Sequence, residues 1–268
     1  MQKLIRVVDK EKNILQLTTV DERFYIKDSV NTKTGLPEYQ YVPSVTWITS
    51  HYPKGIGFYK WLADKGWDEA EAIKIAAGNK GSKVHLAIAD LLAGKTIAME
   101  AKYLNKETDE EEELTPAEWE CIMSFVEWYE ETKPEVIAFE YVLWNGAENY
   151  AGTVDLKCKI DGQIWIIDLK TGADVWPEYE LQVSAYKHAE PNPEEIAGIG
   201  ILQLGYKRNK TKKWKFTPVA DKFPLFLAAK QIWANETAGV QPLQKDYPLS
   251  LALPKPEQKV ADQTEANA

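Results

Sequence analysis

At 268 residues with 44% hydrophobic side chains, the chain can bury a substantial core, and one elaborated domain is favoured over two. Its two cysteines, Cys121 and Cys158, make no disulfide framework. No apolar run has the length of a membrane span or the form of a signal peptide, so a cytoplasmic protein with reduced thiols is expected. The net charge of −9 excludes a uniformly basic surface, but it is unevenly placed: residues 107–131 hold eleven acids and no Lys or Arg. Without that block the chain is close to neutral.

In chain order, residues 1–42 carry the β-like runs LIRVV, ILQLTTV and RFYIKD, which predict a small N-terminal hairpin or edge extension. Residues 44–95 read as mostly helical, punctuated by Gly55, Gly57, Gly66, Gly78 and Gly81, with the last helix stopping near Gly94. Trp47, Tyr52, Phe58, Tyr59, Trp61 and Trp67 gather in this stretch, and core packing is their expected use. The run Glu107–Glu113 reads as a solvated loop. An amphipathic helix follows over Pro116–Glu131, with Trp119, Ile122, Met123, Val126 and Tyr129 as its inward stripe.

Three strands come next. Val136–Val142 is the first, ending near Asn145-Gly146. AGTVDLKCKI and QIWIIDLKT are the others, joined by Asp161-Gly162, a two-residue hairpin signal. The continuous run Ile164–Ile167 suits a strand covered on both faces, and Lys157 and Lys159, flanking Cys158, predict a solvated face. Beyond Thr171-Gly172 the period becomes helical: Leu181, Ala185 and Tyr186 recur at helical spacing, Pro177 fits a first turn, and Gln182 and Tyr186 share a face. ILQLGY and WKFTPV predict a second hairpin whose tip, KRNKTKKWK, holds six basic residues. A helix over about 221–237 follows, and the polar tail reads as disordered. The expected division is an N-terminal β extension over 1–42, a main domain over 43–245, and a disordered tail over 250–268.

The chemistry concentrates between residues 140 and 186. Asp168 and Lys170 are two apart on one strand and project to the same face, with Leu169 turned away. Asp155 on the neighbouring strand adds a second acid. Two carboxylates and a lysine on otherwise apolar strands are costly unless paired or bound to metal. The hard oxygen ligands Asp155, Asp168 and Glu140 suit Mg²⁺ or Mn²⁺. Lys170 beside such an ion is placed to orient or deprotonate a water, or to neutralise developing charge. Read alone, Glu140 is equally an exposed strand residue, and Tyr186 a core residue with its hydroxyl at the surface.

The ordered set of Pro43-Ser44-Val45-Thr46, Gly81-Ser82-Lys83-Val84-His85, Glu140, Gly152-Thr153-Val154-Asp155, Asp168-Leu169-Lys170 and Gln182…Tyr186 resembles the PD-(D/E)XK nuclease superfamily, in its RecB-like and phage-exonuclease branch, over roughly residues 40–190. The resemblance implies a mixed α/β sheet flanked by helices, with an αβββαβ restriction-endonuclease-like core and a helical N-terminal elaboration. It implies Asp155 and Asp168 as principal metal ligands, the Leu169 carbonyl as another, and Glu140 and His85 as support for the same or a second ion. Gln182 and Tyr186 then position the scissile strand or Lys170. An iron–sulfur cluster, held by four cysteines in some relatives, is not expected with two.

The expected function is a Mg²⁺-dependent deoxyribonuclease, most simply an exonuclease of phage or prophage recombination and DNA processing. The alternatives are a DNA-binding recombination module with a vestigial site and a structure- or sequence-directed endonuclease. DNA is the expected partner, with a recombination or single-strand-binding protein and homo-oligomer formation compatible. Under this reading Lys207, Arg208, Lys210, Lys212, Lys213 and Trp214 either contact DNA or serve solubility. The aromatics of residues 47–67 gain a strand-separating groove as an alternative use, and the acidic block gains one as a surface that repels nucleic acid or docks a basic partner.

Overall fold

The computed structural model describes residues 4–18, 22–30, 33, 35, 37–105, 108, 110–208 and 211–237. Its architecture is mixed α/β, with three sheets and six α-helices among the described residues. The expected tail over 250–268 and Lys210 lie outside them.

The N-terminal part is larger than a hairpin. Strands β1 (Leu4–Asp9), β2 (Ile14–Thr18), β3 (Arg23–Val30) and β4 (Pro37–Pro43) form a four-stranded antiparallel meander in chain order. The fourth strand, rich in Tyr and Pro and lacking clean alternation, gave no sequence signal. It runs through Pro43, one residue past the expected boundary at 42. Ile14, Tyr25 and Val42 of this sheet pack on Val142 and Ala151, which fixes the meander against the central sheet.

Helices α1 (Val45–Ser50), α2 (Ile56–Lys65) and α3 (Trp67–Leu92) follow. Ser44 caps α1 by accepting a hydrogen bond from Trp47 N–H at 3.0 Å. Gly66, at φ +75°, separates α2 from α3. Gly78 and Gly81, in contrast, do not interrupt α3, which runs unbroken for 26 residues to the Gly94 turn. Isolated glycines cost a helix about 1 kcal/mol each and weaken it without breaking it.

Over Glu110–Glu113 the acidic run is a strand and not a loop. β6 (Glu110–Glu113) pairs with β5 (Lys102–Asn105), and the tie that holds it is a buried lysine. Lys83 of α3 lies 3.5 Å from Glu112 Oε2 and 3.0 Å from Glu118 Oε1. Glu118 also closes a capping box, its Oε2 accepting from Thr115 N–H at 2.7 Å, at the start of α4 (Pro116–Thr132). The inward face of α4 also differs from expectation. Cys121, Ile122, Phe125 and Trp128 are buried, whereas Met123, Val126 and Tyr129 are more than a third exposed. This helix is apolar over most of its circumference, so periodicity left the choice of face to packing. Phe125 and Trp128 settle it by filling the space beneath the sheet.

The central sheet has the order β11-β10-β9-β8-β7, built from β7 (Glu135–Asn145), β8 (Tyr150–Ile160), β9 (Gln163–Lys170), β10 (Ile196–Leu204) and β11 (Trp214–Val219). Asp161 and Gly162 turn between β8 and β9 with both φ angles positive, +51° and +78°, as the two-residue hairpin requires. β9 and β10 are parallel, joined by the crossover helix α5 (Pro177–Ala189), and the other neighbours are antiparallel. One face is covered by α1, α5 and α6 (Phe223–Thr237), the other by α3 and α4. Lys157 is not on a solvated face, because its ammonium lies 2.7 Å from the buried Glu190 carboxylate at the end of α5.

The α4 packing is tested by truncation. Trp128→Ala costs about 3–5 kcal/mol in urea unfolding and Tyr129→Ala less than about 1 kcal/mol; the reverse order would mean that the helix presents its other face.

Candidate active site

The site begins where regular strand alternation stops. Phe139 and its partner Leu156 pack in the core beneath α3 and α4. Tyr141 and its partner Val154, two residues on, pack in the opposite core against α5. Residues two apart in a regular strand share a face, so both strands reset at the same level. The residues at the reset are Glu140 and Asp155. Glu140 sits at φ +45°, a left-handed conformation that a non-glycine residue holds only when its surroundings enforce it, and such strain gathers at functional sites.

On the other side of β8 the ladder to β9 ends at Leu156↔Ile167. Past that point a carboxylate takes over. Asp155 Oδ2 accepts from Leu169 N–H at 2.7 Å, and His85 Nε2, from α3, lies 3.0 Å from Leu169 O. One peptide unit on each side of Leu169 is therefore gripped by a side chain. With Nε2 donating to that carbonyl, Nδ1 faces Asp155 Oδ1 at 3.3 Å and Glu140 Oε1 at 3.9 Å, an arrangement that suits a second N–H. Burial works against the imidazolium, but the Asp155 and Glu140 charges outweigh it and push His85 up to about 9. Burial likewise opposes the Asp155 carboxylate, and His85, Lys170 and the Leu169 N–H together hold it below the usual range.

A second group lies beside the first on the α5 face. Asp168 is almost fully buried; its Oδ1 accepts from Gln182 Nε2 at 2.8 Å, and its Oδ2 meets Lys170 Nζ at 2.6 Å. Gln182 Oε1 is 3.3 Å from the same ammonium, and Gln182 Nε2 reaches the Tyr186 hydroxyl at 2.9 Å. Lys170 also stands 4.5 Å over the Tyr179 ring. Burial pushes the Asp168 carboxyl up, Lys170 opposes this and Asp155 adds to it, leaving it at about 6. The four-residue spacing of Gln182 and Tyr186 puts both on one face of α5, so that Gln182 Nε2 reaches Asp168 and the Tyr186 hydroxyl together. A Cβ on Gly152 would come within 2.5 Å of the Tyr186 ring, so glycine there permits the ring's approach.

The sequence-derived metal set is only partly gathered. Ligand atoms of His85, Glu140 and Asp155 lie within 4.8 Å of one another, whereas Asp168 is engaged by Lys170 and Gln182, and the Leu169 carbonyl by His85. Two carboxylates and an imidazole fit a divalent ion with hard or borderline preference, Mg²⁺ or Mn²⁺. Its binding would displace the His85 proton.

Above this floor opens a cleft of about 570 Å³, reached by Arg23 of β3, Lys74 and Lys80 of α3, and Ser44 and Thr46 at α1. Ser44 and Thr46 belong to the Pro43–Thr46 segment singled out in the sequence, whereas Arg23, Lys74 and Lys80 were not candidates. Lys74 carried a usable signal: Lys74, Gly78, Gly81 and His85 recur at i, i+4, i+7 and i+11, one helical face. Arg23 carried none, since only the fold of the meander brings it here.

The basic hairpin has other contacts. Lys212 pairs with Glu131, Lys213 lies 3.8 Å from Glu120, and Arg208 is 2.8 Å from Asp174. Lys212 lies over Trp214 at 4.7 Å. Lys207 is exposed on the same loop. Lys212 and Lys213 thus face the acidic helix α4, and none of Lys207, Arg208, Lys212, Lys213 or Trp214 lines the cleft.

The raised His85 gives a stability signature in EDTA. Its folded pKa of about 9 exceeds the ordinary 6.5, so its contribution is complete below about pH 6.5 and is lost as pH rises through about 9. Urea unfolding of the parent should lose up to about 3 kcal/mol between pH 6.5 and 10, and His85→Ala should lack that component. Equal alkaline slopes would show that His85 is not charged in the fold. No family model and no curated protein matches this chain.

Proposed function

We propose that the chain is a Mg²⁺- or Mn²⁺-dependent deoxyribonuclease of the PD-(D/E)XK type, with end-dependent action as in the RecB-like and phage-exonuclease branch that its motifs resemble. The observation that carries this reading is the convergence of His85, Glu140 and Asp155 beside the Asp168–Lys170 pair, at the level where β7 and β8 reset and the β8–β9 ladder stops. The chain order α4, β7, β8, β9, α5, β10 also supports it, since it has the αβββαβ succession that the resemblance implies.

The residues divide the work. His85, Glu140 and Asp155 would hold the cation, with Asp168 alongside. A bound divalent ion supplies polarisation of a phosphoryl oxygen and a lowered pKa for a coordinated water. Lys170 is ion-paired with Asp168 and donates to Gln182 Oε1, which holds its ammonium in place for the attacking water or a phosphoryl oxygen gaining charge. Gln182 fixes both members of that pair at once, so it positions them and transfers no proton. Arg23 and Lys74 offer positive charge along the cleft to flanking phosphates.

The test is cleavage of end-labelled linear and closed circular DNA in Mg²⁺, Mn²⁺ or EDTA. Metal-dependent loss of the linear form is expected, with Lys170→Ala and Asp168→Asn each reducing it at least about 100-fold. Near-parental turnover in both variants would overturn the assignment. Digestion of the circular form would make the enzyme an endonuclease, and DNA binding with no cleavage in any metal would leave a binding module.

A further inference from the structure

Helix α2 carries Ile56, Phe58, Tyr59, Trp61 and Leu62 yet buries none of its residues. Ile56 is 72% and Tyr59 54% exposed, and Trp176, at the start of α5, is 50% exposed. Of the aromatics expected in the core, Trp47 is buried, whereas Phe58, Tyr59 and Trp61 of α2 are not. Between α2 and α5 runs a groove of about 960 Å³, walled by Phe58 and Trp61 on one side and by Trp176 and Tyr179 on the other. The Phe58 and Trp61 rings follow one another at 5.9 Å. The groove shares Thr46, Lys170, Tyr179 and Gln182 with the cleft over the candidate metal ligands, so a chain lying in one continues into the other.

We infer that this groove receives the unstacked bases of a single nucleic-acid strand whose backbone enters the cleft, an inference that rests on the nuclease reading for what happens at its far end. Aromatic faces beside a cation suit a polyanion that also exposes flat apolar rings, and Lys170, 4.5 Å over the Tyr179 ring, stands where the groove meets the cleft. The two acids that line the groove are already neutralised: Glu178 by Lys54, and Asp174 by Arg208. A duplex stacks its bases on one another and has no free ring faces to offer such a wall. A single strand, or the frayed end of a duplex, does.

The experiment measures binding of fluorescein-labelled oligothymidylate and of a blunt duplex of equal length by anisotropy, in EDTA and in Ca²⁺. The parent should prefer the single strand, and oligothymidylate should quench its tryptophan emission. Trp61→Ala and Trp176→Ala should each weaken single-strand binding about tenfold, and Trp176→Phe, which keeps a ring, should recover most of the loss. Trp176 is half-exposed, so its variants leave the core untouched, and quenching in the parent gives a reading that requires no substitution. Parental affinity in both alanine variants, tighter binding of the duplex, or absence of quenching would overturn the inference. So would a dimer in sedimentation that Trp61→Ala dissociates, because the groove would then seat a second copy. The nuclease reading fails separately. Tryptophan-dependent strand binding without metal-dependent cleavage would retain the groove and remove the enzyme, and Lys170-dependent cleavage with unaltered binding would do the reverse.

Discussion

The site depends on how the backbone around Leu169 is held. Where β8 and β9 separate, two hydrogen-bonding groups of a buried strand would lose their partners, at a cost of about 1–3 kcal/mol for each one left unsatisfied. Asp155 takes the N–H and His85 takes the C=O. Because these substitutes are ionisable side chains from a neighbouring strand and a distant helix, the repair of the sheet and the assembly of the charged cluster are one event. Asp168 and Lys170 flank Leu169 in sequence and are oriented by the same anchorage, while Leu169 itself packs in the core under α3 and α4. Removing either grip therefore disturbs folding and the site together.

The charges of the molecule are largely answered within it. The acidic block looks like a partner surface when counted along the chain, but Glu112 and Glu118 hold the buried Lys83, and Glu120 and Glu131 face Lys213 and Lys212. The exposed members of this set contribute little individually, whereas the Lys83 pairs tie β6 and α4 to α3. Net charge is thus a poor guide to where a polyanion would bind. The positive groups that reach the cleft, Arg23, Lys74 and Lys170, are few and scattered along the chain.

What could be read from sequence was what short-range geometry dictates. The Asp161-Gly162 turn, the i, i+2 placement of Asp168 and Lys170, and the i, i+4 placement of Gln182 and Tyr186 all follow from spacing within one element or hairpin. The inward face of α4 did not, because a helix apolar on most sides offers several faces and only Phe125 and Trp128 meeting the sheet selects one. The strand at Glu110–Glu113 was hidden because four glutamates in a row resemble a solvated loop until Lys83 is brought beneath them. The burial of Lys157 against Glu190 and the exposure of the α2 aromatics were illegible for the same reason: each depends on an element far away in the chain.

The unbroken course of α3 past Gly78 and Gly81 bears on what the cleft can admit. Both glycines line it, and a Cβ at Gly78 would meet nothing within 4 Å, while one at Gly81 would meet only Thr171 Oγ1 at 3.8 Å. No packing demand within the protein keeps them small. Along this stretch the wall is main chain, which, unlike a side chain, has no rotamer by which to swing aside. At these two positions the gap between helix and sheet is therefore set by the backbone itself and not by the rotamer of a side chain.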